Sequence, residues 1–165
     1  MKRLWIPSAA VEILTREAEK MAPLETGGVL AGYITDDNED IVITDIVGPG
    51  PKAVHRRTSY GPDYKYHREE VGRMYDRSQG TTYFLGDWHT HPGSGLYLSE
   101  RDKKALRNIA NYPKNFIDAP IMIVASEPIS NEARNWQLKA WRIKLWEKRL
   151  FWKKWDYVPL KIVIY

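Results

Sequence analysis

Two histidines and a carboxylate in one short segment are the residues best suited to chemistry. Residues 86–102 read GDWHTHPGSGLYLSERD, and a single threonine separates His89 from His91. On a β-strand, side chains at positions i and i+2 point to the same face, so both imidazoles can bind one metal ion. Asp102 adds a third ligand if the chain turns back after Pro92. Three protein ligands and an open fourth position are typical of a catalytic zinc site.

The same segment also has a purely structural interpretation. Histidine pairs are common on exposed strands, and Ser99 followed three residues later by Asp102 is a helix-capping sequence. Taken alone, each half of the segment favours this second interpretation. The two roles are compatible, because Asp102 can bind a metal while Ser99 starts a helix. The conjunction of three ligands, and neither half by itself, predicts a metal site.

A hydrolytic metal site also needs a base that accepts a proton from the attacking water. Glu25 is the candidate among the 21 acidic residues, because it precedes two glycines and an apolar strand in PLETGGVLAGY. Paired glycines let another backbone approach closely. A solvent-facing glutamate in a loop is the alternative. The remaining histidines, His55 and His67, lie in polar stretches and are predicted to be solvated.

The elements that must position these residues follow from apolar periodicity. A strand over residues 83–91 carries both histidines, and Gly93-Ser94-Gly95 turns the chain into a helix over residues 99–111 with Ala105, Leu106 and Ile109 inward. Residues 48–63 are rich in glycine and proline and are predicted to form a long connection. Further strands are predicted at residues 27–34, 41–47, 120–126, 136–143 and 158–165. Two further helices are predicted, one with Val11, Leu14, Ala18 and Met21 on its apolar stripe, the other over residues 64–77 with Tyr64, Val71, Met74 and Tyr75 buried.

The length indicates one domain over residues 1–165, and the order of its elements indicates an α+β fold, a mixed curved sheet flanked by helices. The chain is 43% hydrophobic and 28% charged. It has no cysteine, which excludes disulfides and thiolate metal sites and fits a reducing compartment. No signal peptide and no run of roughly 20 apolar residues is present, so we expect a cytoplasmic protein that does not act at a membrane.

The combined motif resembles the JAMM/MPN zinc isopeptidases. In that family a glutamate is followed far downstream by His-x-His-Pro, six residues, Ser, two residues and Asp. Here the pattern is filled by Glu25, His89-Thr90-His91-Pro92, Ser99 and Asp102. The order of elements agrees over residues 3–126, which we take as the core, and residues 134–165 form a less clearly covered C-terminal extension.

The resemblance implies a mechanism. His89, His91 and Asp102 would bind one catalytic Zn²⁺, and Glu25 would deprotonate the water and later protonate the leaving amine. Ser99 would hydrogen-bond the oxyanion. The substrate would be the bond after the C-terminal glycine of a ubiquitin-like protein, cleaved in precursor maturation or deconjugation.

The phrase GDWHTHP is most similar to small bacterial members of this family, which occur beside ubiquitin-activating-like and conjugating-like proteins in anti-phage operons. That similarity predicts those enzymes as partners. An extended substrate tail would add a strand near the site. Gly93, Gly95 and Tyr97 are candidate groove residues, with ordinary loop residues as the alternative.

The C-terminal stretch WRIKLWEKRLFWKKWDYVPL, residues 141–160, interleaves tryptophans with lysines and arginines. Such a surface can stack nucleic acid or dock a protein partner. The favoured interpretation is inward tryptophans with solvated charges, so a nucleic-acid partner is not expected. Two other functions stay open: a non-catalytic scaffold that binds through this basic aromatic region, and a zinc hydrolase acting on a different amide.

Overall fold

A closed, mixed β-barrel with three helices against it forms the fold. The computed structural model describes residues 2–113, 117–127, 135–148 and 153–165. The helices are α1 (Ser8–Met21), α2 (Tyr64–Arg77) and α3 (Glu100–Asn111). The strands are β1 (Arg3–Ile6), β2 (Gly27–Ile34), β3 (Asp40–Val47), β4 (Val54–Arg56), β5 (Ser59–Gly61), β6 (Tyr83–Thr90), β7 (Ile121–Ser126), β8 (Gln137–Lys148) and β9 (Lys153–Ile164).

Seven strands close the barrel in the order β1-β3-β2-β6-β7-β8-β9. β1 pairs in parallel with both β3 and β9, and β6 pairs in parallel with β7, whereas the other neighbours are antiparallel. The predicted α+β class with a mixed sheet is confirmed. β1 was not predicted, because four residues are too few for a periodic pattern to stand out.

The hydrophobic core has two parts on opposite faces of the sheet. Inside the barrel, Leu14 and Ala18 of α1 pack with apolar residues of the strands, including Trp88. On the outer face, Leu106 of α3 packs with Met122, Val124, Trp141 and Ile143. Every residue of β7 is buried, as expected of a strand covered on both faces. Packing on this outer cluster fixes α3 against β7 and β8.

The buried side of α2 was predicted wrongly for two of its four residues, whereas Val71 and Met74 are half-buried. Tyr64 is 75% exposed and Tyr75 is 50% exposed, and the buried residue of the helix is His67. His67 was expected to be solvated, but its Nε2 lies 2.9 Å from the carbonyl oxygen of Gly48. The helix lies over the connection that follows β3, where the Gly48 carbonyl gives the buried His67 ring a hydrogen-bond partner.

Residues 48–63 are more ordered than the glycine and proline content indicated, because they contain the short β4–β5 hairpin. The C-terminal strands β8 and β9 are hydrogen-bonded members of the barrel, and β9 pairs with β1. Residues 134 and 149–152 of the predicted extension lie outside the described residues.

Candidate metal centre

The carboxyl end of β6 brings the two histidines together. Both are buried, and their Nε2 atoms lie 2.9 Å apart. The amide of His91 donates to the carbonyl of Ala125 at 2.8 Å, so β7 holds this end of β6 in place. The alternation of a strand explains why Thr90, between the two histidines, instead hydrogen-bonds with Thr26.

Asp102 reaches the same point from the first turn of α3. Its Oδ1 is 3.2 Å from His89 Nε2, and its Oδ2 is 3.4 Å from His91 Nε2. Asp102 also completes a capping box, in which Ser99 N–H donates to Oδ2 at 2.7 Å and Asp102 N–H donates to Ser99 Oγ at 3.2 Å. The capping box is therefore formed, and it leaves Asp102 within reach of both imidazoles, so the two interpretations of this segment are compatible.

The three donor groups fit a small cation. Ligand atoms of His89, His91 and Asp102 all lie within 4.8 Å of one another. A tetrahedral ion with bonds of about 2.0–2.1 Å requires ligand atoms roughly 3.3 Å apart, close to the separations seen here. With their Nε2 atoms deprotonated, the two imidazoles and the carboxylate are three Lewis bases that converge on one point, which is the donor set a cation requires. The cluster is thus suited to bind a metal ion.

The electrostatics of the cluster favour an ionised carboxylate. Burial raises the pKa of Asp102, but hydrogen bonds from His89 and His91 outweigh it and hold that pKa well below its usual range. Burial lowers the pKa of His91, yet the Asp102 carboxylate more than compensates and the net direction is upward. A carboxylate that stays ionised at neutral pH is ready to bind a cation without first losing a proton.

Glu25 lies beside the cluster, immediately before β2. Burial raises the pKa of Glu25, and the nearby His89 and His91 partly oppose that rise. The paired glycines explain the close approach, since a Cβ at Gly27 would lie 2.5 Å from Trp88 O and one at Gly28 would lie 1.9 Å from Val47 O. The expected close backbone approach at these glycines is therefore present, and the half-buried Glu25 lies within electrostatic reach of His89, His91 and Asp102.

Two residues near Glu25 were missed at the level of sequence. His55 of β4, expected to be solvated, is half-buried and places Nδ1 3.0 Å from the Glu25 carbonyl oxygen. Arg101 donates to the Thr58 carbonyl at 2.8 Å, and its charge lowers the pKa of Glu25. The position of Arg101 in the SERD motif could have indicated that it lies near the site. No sequence pattern indicated that His55 contacts Glu25.

The loop after His91 covers one side of the cluster. The ring of Tyr97 lies 5.3 Å from that of His91, and Tyr97 is exposed. Gly93 and Gly95 have φ values of +67° and +104°, which side chains other than glycine rarely adopt. The amide of Gly95 donates to the buried Ser126 Oγ at 3.0 Å. Ser126 was not singled out from the sequence, because it ends an apolar strand.

Comparison with known families identifies the class of protein. The family described as prokaryotic homologs of the JAB domain matches residues 7–144, which include every side chain of the cluster and Glu25. The chain belongs to this family. The JAB domain defines metalloproteases, so the chain is a hydrolase, and the resemblance inferred from the HTHP and SERD motifs is confirmed.

The names of similar proteins agree with this class of protein. The chain is 36% identical over 124 residues to a protein of Sinorhizobium fredii named probable metalloprotease y4qB, and the match covers 74% of this chain and 75% of that one. It is 32% identical over 92 residues to a CD-NTase/cGAS isopeptidase of Vibrio cholerae, covering 56% of this chain and 57% of that one.

The fold is also found in a solved structure, protein DSY2949 from Desulfitobacterium hafniense. The two share 17% sequence identity with a TM-score of 0.62, over 98% of this chain and 92% of that one. At that identity the likeness concerns the fold alone. Within the described residues, no helix has the length and apolar content needed to cross a bilayer.

Proposed function

We propose that this chain is a zinc-dependent isopeptidase that cleaves the bond after the C-terminal glycine of a ubiquitin-like protein. The observation that carries the proposal is the approach of the Asp102 carboxylate to both imidazole Nε2 atoms, with Glu25 beside them. In this proposal His89, His91 and Asp102 hold the zinc ion. When bound, zinc acidifies a coordinated water and polarises the carbonyl of the scissile bond.

Glu25 is proposed as the general base and acid. Its carboxylate accepts a proton from the attacking water and then donates it to the leaving amine. The partial burial that raises the pKa of Glu25 brings its proton affinity closer to that of the groups it exchanges with. The charges of His89 and His91, and to a smaller extent that of Arg101, partly oppose this rise.

Ser99 is proposed to donate a hydrogen bond to the oxyanion. Its Oγ accepts from the amide of Asp102, so the hydroxyl hydrogen remains available to a substrate. The residue is half-exposed at the start of α3, beside the buried Asp102. This geometry lets one serine cap the helix and still face the reacting carbonyl.

The substrate class is proposed from the relatives and from the surface beside the cluster. Several relatives are named CD-NTase/cGAS isopeptidase, which supports a conjugated protein as the substrate and a CD-NTase conjugate as the first target to test. Tyr97 is exposed next to His91, and with Gly93 and Gly95 it is proposed to line the substrate tail. We further propose a cytoplasmic role in an anti-phage conjugation system, alongside its activating and conjugating enzymes.

The test combines metal analysis with cleavage of a defined conjugate. Purified protein is expected to contain close to one zinc per chain and to cleave a ubiquitin-like protein joined through its C-terminal glycine to a CD-NTase. Glu25→Gln is expected to keep the zinc and to lose about 10²–10⁴-fold in rate, as removal of a general base does. Glu100→Gln is the matched control, because Glu100 is an exposed glutamate paired with Lys103.

Each alternative gives a different result. Partner binding that survives a chelator, without cleavage of any conjugate, would support the non-catalytic scaffold. Zinc-dependent hydrolysis of other amides, without cleavage of ubiquitin-like fusions, would contradict the proposed substrate class and support the proposed hydrolytic mechanism. Undiminished cleavage by Glu25→Gln would refute the assigned base.

A further inference from the structure

A cavity lies at the other end of β6, away from the metal centre. It is partly open to solvent and is bordered by α2, the amino end of β6 and β8, with a volume of about 860 Å³, within the range of roughly 300–1,000 Å³ found for small-molecule pockets. Tyr83 of β6 lines it, six residues before His89. At about 3.4 Å per residue the two sites are roughly 20 Å apart along the strand. The cavity is therefore separate from the proposed active site.

The distinctive group in this cavity is Arg142 of β8. Its side chain is half-buried, and burial lowers the pKa of its guanidinium. Nε donates to the Ala119 carbonyl at 3.2 Å, and Nη1 donates to Asn38 Oδ1 at 3.0 Å. Among the described residues Arg142 forms no ion pair. A partly desolvated charge with only neutral partners has an unmet need for an anion.

Neutral donors surround this guanidinium. The Tyr83 hydroxyl accepts from the amide of Ile34 at 3.0 Å, so its own hydrogen remains to donate. Asn38 uses its carbonyl oxygen for Arg142, which leaves its amide N–H₂ group as a donor. The acidic residues of the wall, Asp76 and Asp118, are both exposed, and neither perturbs the pKa of Arg142. The part of the cavity around Arg142 thus presents donors to an anionic group.

The lining also has an apolar and aromatic part, beside the exposed and charged Arg68, Asp76 and Asp118. Val71 and Tyr75 of α2 form one wall, and Phe84 and Ile117 lie on the side of the sheet. Ile117 is only 5% exposed, so this floor belongs to the hydrophobic core. A ligand that satisfies both parts has a charged head and a hydrophobic body.

We propose that this cavity, the Arg142 pocket, binds a carboxylate that carries an apolar or aromatic group. The guanidinium forms paired hydrogen bonds with the carboxylate, a geometry that arginine favours over lysine. The apolar group packs on the floor and on the tyrosine of α2. The inference concerns a site independent of the proposed peptidase activity, and its test does not use catalysis.

The test is an NMR titration of the full chain with hydrocinnamate and with hydrocinnamide, its neutral amide of nearly equal shape. Hydrocinnamate is expected to give saturable shifts at the amides of Gly72, Gly80 and Ala119, which line or border the pocket. Hydrocinnamide is expected to bind at least roughly tenfold more weakly, because a charge-assisted hydrogen bond is lost. Equal affinity for the two compounds, or no saturable shift with either, would overturn the proposal.

Variants assign the effect to one side chain. Arg142→Gln is expected to lose at least roughly tenfold in affinity for hydrocinnamate, whereas Arg73→Gln, an exposed arginine of α2 outside the pocket lining, keeps wild-type affinity. Unchanged binding by folded Arg142→Gln would refute the assignment. If that variant does not fold, Arg142→Lys is used and is expected to bind more weakly than wild type; equal binding would refute paired recognition.

The natural source of the carboxylate is distinguished with a third probe. The tripeptide Ala-Ala-Phe is titrated beside hydrocinnamate. The controls are the C-terminally amidated tripeptide and hydrocinnamide. Tighter binding of the free-acid peptide indicates a protein C-terminus as the occupant. Tighter binding of hydrocinnamate indicates a small molecule.

Discussion

The carboxyl end of β6 and the underside of α2 both bury histidine, but they give it opposite properties. His89 and His91 face the Asp102 carboxylate, which raises the pKa of His91. Burial lowers the pKa of His67, and the Gly48 carbonyl and Asp63 only partly offset that effect. Burial of a histidine is therefore no sign of a metal site. The sign is a buried carboxylate that converges with two imidazoles on one point.

The largest expected effect is removal of that carboxylate. Asp102→Ala is expected to reduce zinc content to near zero and to abolish cleavage, a greater loss than the 10–100-fold typical of outer-shell partners. The measurement is metal stoichiometry of the folded variant beside cleavage of the conjugate. Glu100→Ala, in the same turn but exposed, serves as the control. Full zinc content in folded Asp102→Ala would show that the carboxylate is not what distinguishes the β6 histidines from His67.

Ser99 tests whether the helix cap also takes part in the chemistry. Ser99→Ala is expected to lower kcat by about 10²–10³ with zinc content unchanged, because an oxyanion donor is removed. It also removes a cap worth roughly 0.5–2 kcal/mol of stability. Rates are measured well below the melting temperature of the variant. A fall in melting temperature with an unchanged kcat would leave Ser99 with the capping role alone.

Ser126 tests how the loop supports His91. Among the described residues, the buried His91 Nδ1 has no hydrogen-bond partner, and the Gly95 backbone contributes to raising the pKa of His91. Ser126 Oγ holds Gly95 through its amide. Ser126→Ala is therefore expected to weaken zinc binding by roughly 10-fold, at the lower end of outer-shell effects.

Competition with a chelator of known affinity measures this change. Ser94→Ala is the matched control, since it removes only the exposed contact with the Tyr97 hydroxyl, 3.1 Å away. If the two variants bind zinc equally well, the Ser126 contact does not support the site.

The smallest expected effect concerns His67. The pKa of His67 is lower in the folded chain than in the unfolded chain, where it has the ordinary histidine value of 6.5. Protonation therefore favours unfolding, and stability rises as pH increases from the lowered pKa to about 6.5 and is then constant. His67→Gln is expected to remove this part of the pH dependence. Denaturant unfolding across this pH range measures it, and an unchanged slope would contradict the assignment.

Much of the site could be predicted from the sequence because its signals are local. A two-residue spacing on a strand places His89 and His91 on one face, and the Ser99–Asp102 spacing starts a helix wherever it lies. The glycines after Glu25 indicated a close backbone approach, which Trp88 and Val47 provide. Less local features were missed, such as the burial of His67 and the β4–β5 hairpin beside Glu25.

By itself the sequence determined the residue types, their spacing and the elements that carry them, since these depend on backbone geometry over a few residues. Only the tertiary structure decided that β1 closes the barrel with β9, and that α3 returns Asp102 to within 3.2 Å of His89. It also decided that Arg142 and Tyr83, distant in sequence, meet in one pocket. Such contacts depend on how buried surfaces pack across the whole chain, and no short-range pattern encodes that packing.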